Sequence, residues 1–246
     1  MPRAVSIEAI REAEARIAGL VHRTPLVRSG ALSERTGAEV YLKLENQQKT
    51  GSFKPRGALV TMLALGREER ARGVVTISAG NHAQGVAYAG RVLGIPATVV
   101  MPASASRIKA EAARGYGAEV TLPGTIAETF EKMEEIRQKR GLALVHPFDS
   151  PGAIVGQGTV GAEIVADLPD VDLVIAGVGG GGLLAGTAFA VTALRPGARV
   201  VGVEPVGADS LHRSLALGRP ARLETTSTIA GGLAAPFTGA LFFEIA

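Results

Sequence analysis

The sequence predicts an α/β protein built from two open, twisted, mainly parallel sheet domains. Two observations lead there: near-continuous Val/Ile/Leu/Ala runs recur along the chain, and segments of helical periodicity lie between them. A third concerns the 32 glycines, which gather at the ends of the apolar runs. Tight turns and close backbone approach use a residue without a Cβ at such places.

Taken in order, the N-terminal stretch MPRAVSIEAIREAEARIAGL is an amphipathic helical pattern carrying acidic residues, which is wrong for a signal or transit peptide. A strand is expected at 39–44 (EVYLKL), with Lys43 on its solvent side between Leu42 and Leu44. A helix at 55–65 follows from Pro55, whose fixed φ and missing N–H suit a first helical position, leaving Lys54 as the cap. Strand 74–78 (VVTIS) leads to a helix at 81–93 that Asn81 can cap. Strands at 97–101 (ATVVM), 119–122 (EVTL) and 142–146 (LALVH) alternate with helices at 107–116 and 125–140. After a helix at 152–167, strands at 172–178 (DLVIAGV) and 199–204 (RVVGVE) alternate with helices at 182–194 and 208–217. The first uninterrupted β-α series spans 74–146 and the second resumes at 172, so two sheet domains with a crevice between them are expected.

Composition narrows the class. With 46% hydrophobic and 20% charged residues and no apolar run of membrane length, a soluble, cytoplasmic protein is expected. The absence of cysteine excludes disulfides, thiolate catalysis and cysteine metal sites, and the four histidines show no zinc-type pairing. A net charge of +3 is spread over arginines that sit beside glutamates, as in IREAEARI and GREERARG, without basic–aromatic interleaving. Nucleic acid and membrane are therefore not expected as partners.

Three glycine-bearing loops carry the chemistry. The segment 78–85 (SAGNHAQG) follows a strand and opens a helix, where free N–H groups attract carboxylates or phosphates. Small residues Ala79, Gly80 and Ala83 leave the backbone open around Ser78 and Asn81. The segment 177–186 (GVGGGGLLAG) sets four consecutive glycines, Gly179 to Gly182, at another strand-to-helix turn, a nest for phosphate. It also matches G-x-G-x-x-G through Gly177, Gly179 and Gly182, with Glu204 ending the next strand, so a dinucleotide-dependent oxidoreductase is an alternative. The third loop holds GSFKPRGA. Of six lysines against twenty arginines, Lys43, Lys109, Lys132 and Lys139 read as solvent-facing, and only Lys54 sits among Gly51, Ser52 and Gly57 at a helix start. Desolvation and the positive helix end both favour its neutral, nucleophilic form.

KLENQQKTGSFKPRGA, SAGNHAQGVA, GVGGGGLLAG, VGVEP and STIAGGLA, in this order and together with HRTPL and HPFDS, resemble the threonine dehydratase and serine racemase group of fold-type II pyridoxal-phosphate enzymes. The resemblance runs along essentially the whole chain. It implies a tryptophan-synthase-β-like fold, with a large cofactor domain from 1–50 plus 147–246 and a small mobile domain at 51–146. It implies that Lys54 holds pyridoxal 5′-phosphate as a Schiff base, that Phe53 lies beside the ring, and that Asn81 bonds its 3′-oxygen. The N–H groups of Gly179, Gly180, Gly181, Gly182 and Leu183 would cradle the phosphate. The loop Ser78, Ala79, Gly80, Asn81 and His82 would receive the carboxylate of an amino-acid substrate. The freed Lys54 amine would take the Cα proton, the β-hydroxyl would leave, and a 2-oxo acid and ammonia would follow. Racemases of the group carry a second serine where this chain has Ala79, so threonine dehydration, with serine as a side substrate, is expected ahead of racemisation.

The resemblance also implies departures. The group's chains continue past LAAPFTGALFFEIA, and the residue that contacts the pyridine nitrogen lies in that continuation, so a C-terminal part is expected to be missing. Gly231 stands where an aspartate is common. In metal-dependent members a divalent cation sits at positions matching Glu204, the Ala208 carbonyl and Ser210, and serine is a poor ligand for a hard cation. A homo-oligomer, dimer or tetramer, is implied, and a non-catalytic amino-acid-binding relative is a further alternative.

Overall fold

The structure, a computed structural model, describes residues 5–245; residues 1–4 and 246 of the large-domain assignment lie outside the described residues. Ser6 opens helix α1 (Ile7–Ile17) by accepting the Ala9 N–H at 3.1 Å, and the helix buries Ile10, Ala13 and Ile17 along one stripe. An antiparallel ribbon follows, β1 (Leu26–Arg28) pairing with β2 (Tyr41–Lys43) around α2 (Gly30–Thr36). The expected strand at 39–44 is thus present but shorter, and its polar face is the buried one. Leu42 is 42% exposed, whereas the Lys43 side chain is 6% exposed and pairs with Glu163 at 2.7 Å. Lys43 faces inward because a carboxylate waits for it there.

The remaining elements alternate as expected. α3 (Lys54–Leu63) and α4 (Arg67–Arg72) lead into β3 (Val74–Ile77), α5 (Asn81–Leu93), β4 (Ala97–Val100), α6 (Arg107–Gly115), β5 (Glu119–Thr121), α7 (Ile126–Arg140) and β6 (Ala143–Leu144). Then come α8 (Pro151–Asp167), β7 (Leu173–Gly177), α9 (Gly182–Leu194), β8 (Arg199–Val203), α10 (Ser210–Leu217) and α11 (Ala240–Ile245). The four strands of the first series form a parallel sheet in the order β5-β4-β3-β6, and β7 and β8 form a second parallel pair. Val74, Val75, Val99 and Val100 are fully buried, as a sheet covered on both faces requires.

Helices α3 and α8 hold the two sheets in relation to each other. They cross at backbone contact: a Cβ on Gly156 would lie 2.5 Å from the Gly57 Cα and 2.7 Å from the Arg56 carbonyl oxygen. Neither atom belongs to a flexible side chain, so the helices would have to part. Gly156→Ala is therefore expected to cost about 1–3 kcal/mol through overpacking, read as a lower thermal midpoint. Gly115→Ala, where a Cβ meets open space, is the control and should be neutral or slightly stabilising.

Candidate active site

The three glycine-bearing loops meet at one strap, residues 145–149, which leaves the end of β6 and runs to α8. Ser150 then caps α8 by accepting the Ala153 N–H at 3.3 Å. Each loop reaches the strap through a different group.

Lys54 is the first residue of α3, with Phe53 as its cap, so the helix begins one residue earlier than expected and Pro55 falls in its first turn. The proline still costs no hydrogen bond there. Half-buried, Lys54 turns its amine inward to donate to the Pro147 carbonyl at 2.6 Å, and Nζ lies 5.2 Å from the centre of the Phe53 ring. Burial lowers its pKa to about 8. Desolvation is the cause, and at pH 7 about a tenth of the amine is uncharged, far more than for an ordinary lysine. Beside it the hydroxyls of Thr50 and Ser52 are buried with no hydrogen-bond partner among the described residues. Gly85 of α5 lets the start of α3 come close, since a Cβ there would lie 3.0 Å from the Lys54 backbone carbon.

The second loop leaves β3 and opens α5. Ser78 accepts the Gly80 N–H at 3.1 Å, and the half-buried Asn81 begins the helix rather than capping it; Gly80 is the cap. Among the described residues the N–H groups of Ala79, Asn81, His82 and Ala83 meet no acceptor. His82 turns back into the core, where Nε2 donates to the Val145 carbonyl at 3.0 Å. A carbonyl only accepts, which fixes the proton on Nε2. His146 of the strap accepts the Asp149 N–H on Nδ1 at 2.8 Å, so its proton is on Nε2 as well.

The third loop joins β7 to α9. Gly181 adopts φ +92°, a left-handed conformation that favours glycine, and Gly181 and Gly182 are buried. Among the described residues the N–H groups of Gly179, Gly180, Gly181, Gly182 and Leu183 have no acceptor. Five successive free donors, two of them on buried residues, are the lining a phosphate requires. The glycines have a second reason to lack side chains. A Cβ on Gly180 would run into the Phe148 ring of the strap, and one on Gly181 into the Phe242 ring of α11. Sequence alone gives neither phenylalanine a role, although HPFDS is among the resembling motifs. Asp149 anchors α11 in turn, accepting the Ala240 and Leu241 N–H groups at 3.1 and 3.0 Å.

Glu204 lies apart from this site. Its two carboxylate oxygens accept the Leu211 and His212 N–H groups, each at 2.8 Å, at the start of α10. It acts as a helix cap, with both carboxylate oxygens occupied by backbone N–H groups. Ala208 is buried in a single 3₁₀ turn, and the Ser210 hydroxyl is engaged with Thr238 at 3.0 Å. Among the described residues no group of three or more His, Cys, Asp or Glu side chains converges.

Burial depresses the His82 pKa to about 3, and the neighbouring Lys54 amine and His146 also disfavour the imidazolium. The unfolded chain takes up a proton near pH 6.5 that the folded chain refuses, so stability falls as pH drops from 6.5 toward 3, at up to about 1.4 kcal/mol per unit. His82→Gln should flatten the decline of melting temperature between pH 7 and 5 by about one proton's worth. An unchanged slope would place the titration elsewhere.

The family model described as pyridoxal-phosphate dependent enzyme matches residues 17–246. An L-threonine ammonia-lyase of Thermotoga maritima is 49% identical over 98% of this chain, and the chain spans 60% of that relative's length. Among solved structures, maize serine racemase superposes with a TM-score of 0.95 at 40% identity, covering 98% of this chain and 74% of that one. A threonine deaminase from T.th. superposes with a TM-score of 0.93 at 46% identity, covering 98% of this chain and 79% of that one. No helix of the described residues is long and apolar enough to cross a membrane.

Proposed function

The chain belongs to the pyridoxal-phosphate dependent enzyme family, and on that premise we propose that it eliminates water from L-threonine to give 2-oxobutanoate and ammonia, with L-serine to pyruvate as a side reaction. The observation that carries the proposal is the pairing of a desolvated lysine amine, pKa about 8, with a run of free backbone donors from Gly179 to Leu183. In this reading Lys54 would hold the cofactor through its aldehyde, Phe53 would pack beside its ring, Asn81 would bond its ring oxygen, and Gly179 to Leu183 would bind its phosphate.

When bound, the cofactor supplies an electron sink for the carbon that loses its proton. The protein's share is positional. The Ser78–His82 loop holds the substrate carboxylate on free N–H groups, which orients the Cα–H bond toward Lys54. Lys54, whose place on the aldehyde the substrate amine would take, is then a free neutral amine and removes that proton as a general base. The Cβ–O bond then breaks, and the hydroxyl leaves as water with the proton that Lys54 took from Cα, which returns the amine to its neutral form. The released enamine takes up water and yields the 2-oxo acid and ammonia, so the water lost and the water gained balance. Ala79 bears a methyl group, which cannot shuttle a proton on the opposite face, and this supports elimination over the racemisation named for the maize structure.

The proposal extends to a homo-oligomer, dimer or tetramer, located in the cytoplasm, with 51–146 as a mobile unit; the resemblance supports these. The deciding experiment incubates the protein and pyridoxal phosphate with L-threonine or L-serine and measures 2-oxo acid, ammonia and D-serine. Faster ammonia release from threonine, without D-serine, is expected. Ligand uptake with no ammonia would identify an amino-acid-binding relative instead.

A further inference from the structure

Lys109, on α6, does not point into solvent as its place in the sequence suggests. Its Nζ lies 3.3 Å, and its Cδ 3.6 Å, from where a Cβ on Gly80 would stand, so the side chain lies across the loop that opens α5. The residue is half-buried, and among the described residues its amine has neither a carboxylate within 4.0 Å nor a hydrogen-bond acceptor. The acid next along the helix, Glu111, is occupied by Arg107 at 2.7 Å. The orientation of α6 is fixed independently at its other end, where the Tyr116 hydroxyl donates to the Lys49 carbonyl at 3.2 Å and its ring meets Tyr88 edge-on. Lys109 and Tyr116 are seven residues apart, hence on one helix face, and that face looks onto the loops at Gly80 and Lys49.

An unpaired cation resting on a glycine beside four free N–H groups adds a full charge to a place already suited to a carboxylate. We propose that Lys109 is a positioning residue for the substrate carboxylate: it draws the amino acid to the Ser78–His82 loop and fixes its orientation there. The proposal rests on that loop being the carboxylate site of the function proposed above. Gly80, which carries no Cβ, is then what leaves the lysine room.

The test is a cycle of two substrates and two proteins. With holoenzyme, Lys109→Met should raise KM for L-threonine by about tenfold or more, the size of a lost charge-assisted hydrogen bond, while kcat changes little. Lys109→Arg should recover most of the loss. L-Threonine amide has no carboxylate, so the two proteins should turn it over with nearly equal kcat/KM. Equal penalties on acid and amide would overturn the proposal, because a merely structural lysine would weaken both alike. Calorimetric binding of L-alanine and L-alaninamide, which have no β-hydroxyl to lose, gives a readout free of turnover. If the wild type binds L-alanine but releases no 2-oxo acid from threonine, the dehydratase reading fails, and the alanine–alaninamide difference still decides the role of Lys109.

Discussion

Lys54→Ala should abolish release of 2-oxo acid and ammonia from L-threonine, lowering kcat by roughly 10³-fold or more, since removal of a general base alone costs on the order of 10²–10⁴ and the covalent attachment is lost with it. The fold should survive. The amine makes one hydrogen bond, to Pro147, and carries a desolvation cost that the methyl group does not. Melting temperature should hold or rise, while the visible absorption of protein saturated with pyridoxal phosphate is lost. Lys54→Arg should be equally inactive, because a guanidinium keeps its proton at any working pH. A Lys54→Ala protein retaining a tenth of the activity would show that another group is the base.

The alternation of strands and helices was legible because parallel strands buried on both faces must read as unbroken apolar runs, and both sheets lie where those runs are. The place of the candidate-site loops in the fold was legible for the same local reason: Gly179–Gly182 and Ser78–His82 stand at strand ends that open helices. What stayed hidden depends on long-range partners. Lys43 between two leucines looks like the wet side of a strand until Glu163, 120 positions on, is packed beneath it. A sign was present, since Gln157 and Glu163 interrupt the otherwise apolar run PGAIVGQGTVGAEIV, and a charge within a buried helix implies a buried counter-charge. The strap at 145–149 showed only as the motif HPFDS, with no role attached to it, and the inward turn of Lys109 left no sign. The strap acts mainly through its carbonyls and Lys109 lies against a glycine of the backbone, and such contacts are open to any sequence. The strand β1 is three residues long and half exposed, too short for periodicity to reveal.

Arg56→Met should be the most destabilising single substitution near the site. Arg56, two residues past Lys54, is fully buried, and each of its guanidinium nitrogens is used. Nε and Nη2 grip Glu45 at 3.0 and 2.8 Å, Nη1 and Nη2 grip Glu163 at 2.6 and 3.0 Å, and Thr159 and the His22 carbonyl accept the rest at 3.0 and 3.2 Å. With Lys43 on Glu163 at 2.7 Å and on Asp167 at 3.6 Å, two cations face three carboxylates, and the network joins the strand ribbon, α3 and α8. A methionine would fill most of the volume but leave Glu45 and Glu163 facing one remaining cation in a dry interior. Removing one partner of a buried pair costs about 3–5 kcal/mol, which for a chain of this size lowers the melting temperature by on the order of 10 °C. Arg56→Lys should recover little, because a point charge cannot grip two carboxylates bidentately. Adding Glu163→Gln to Arg56→Met should return part of the loss by removing the stranded charge, and the coupling between the two substitutions measures the pair. Because Lys54 begins the same helix, its amine should also lose its fixed place over the strap. Cofactor affinity would then fall together with stability in Arg56→Met, whereas Gly156→Ala, farther along the helix pair, should lower stability first.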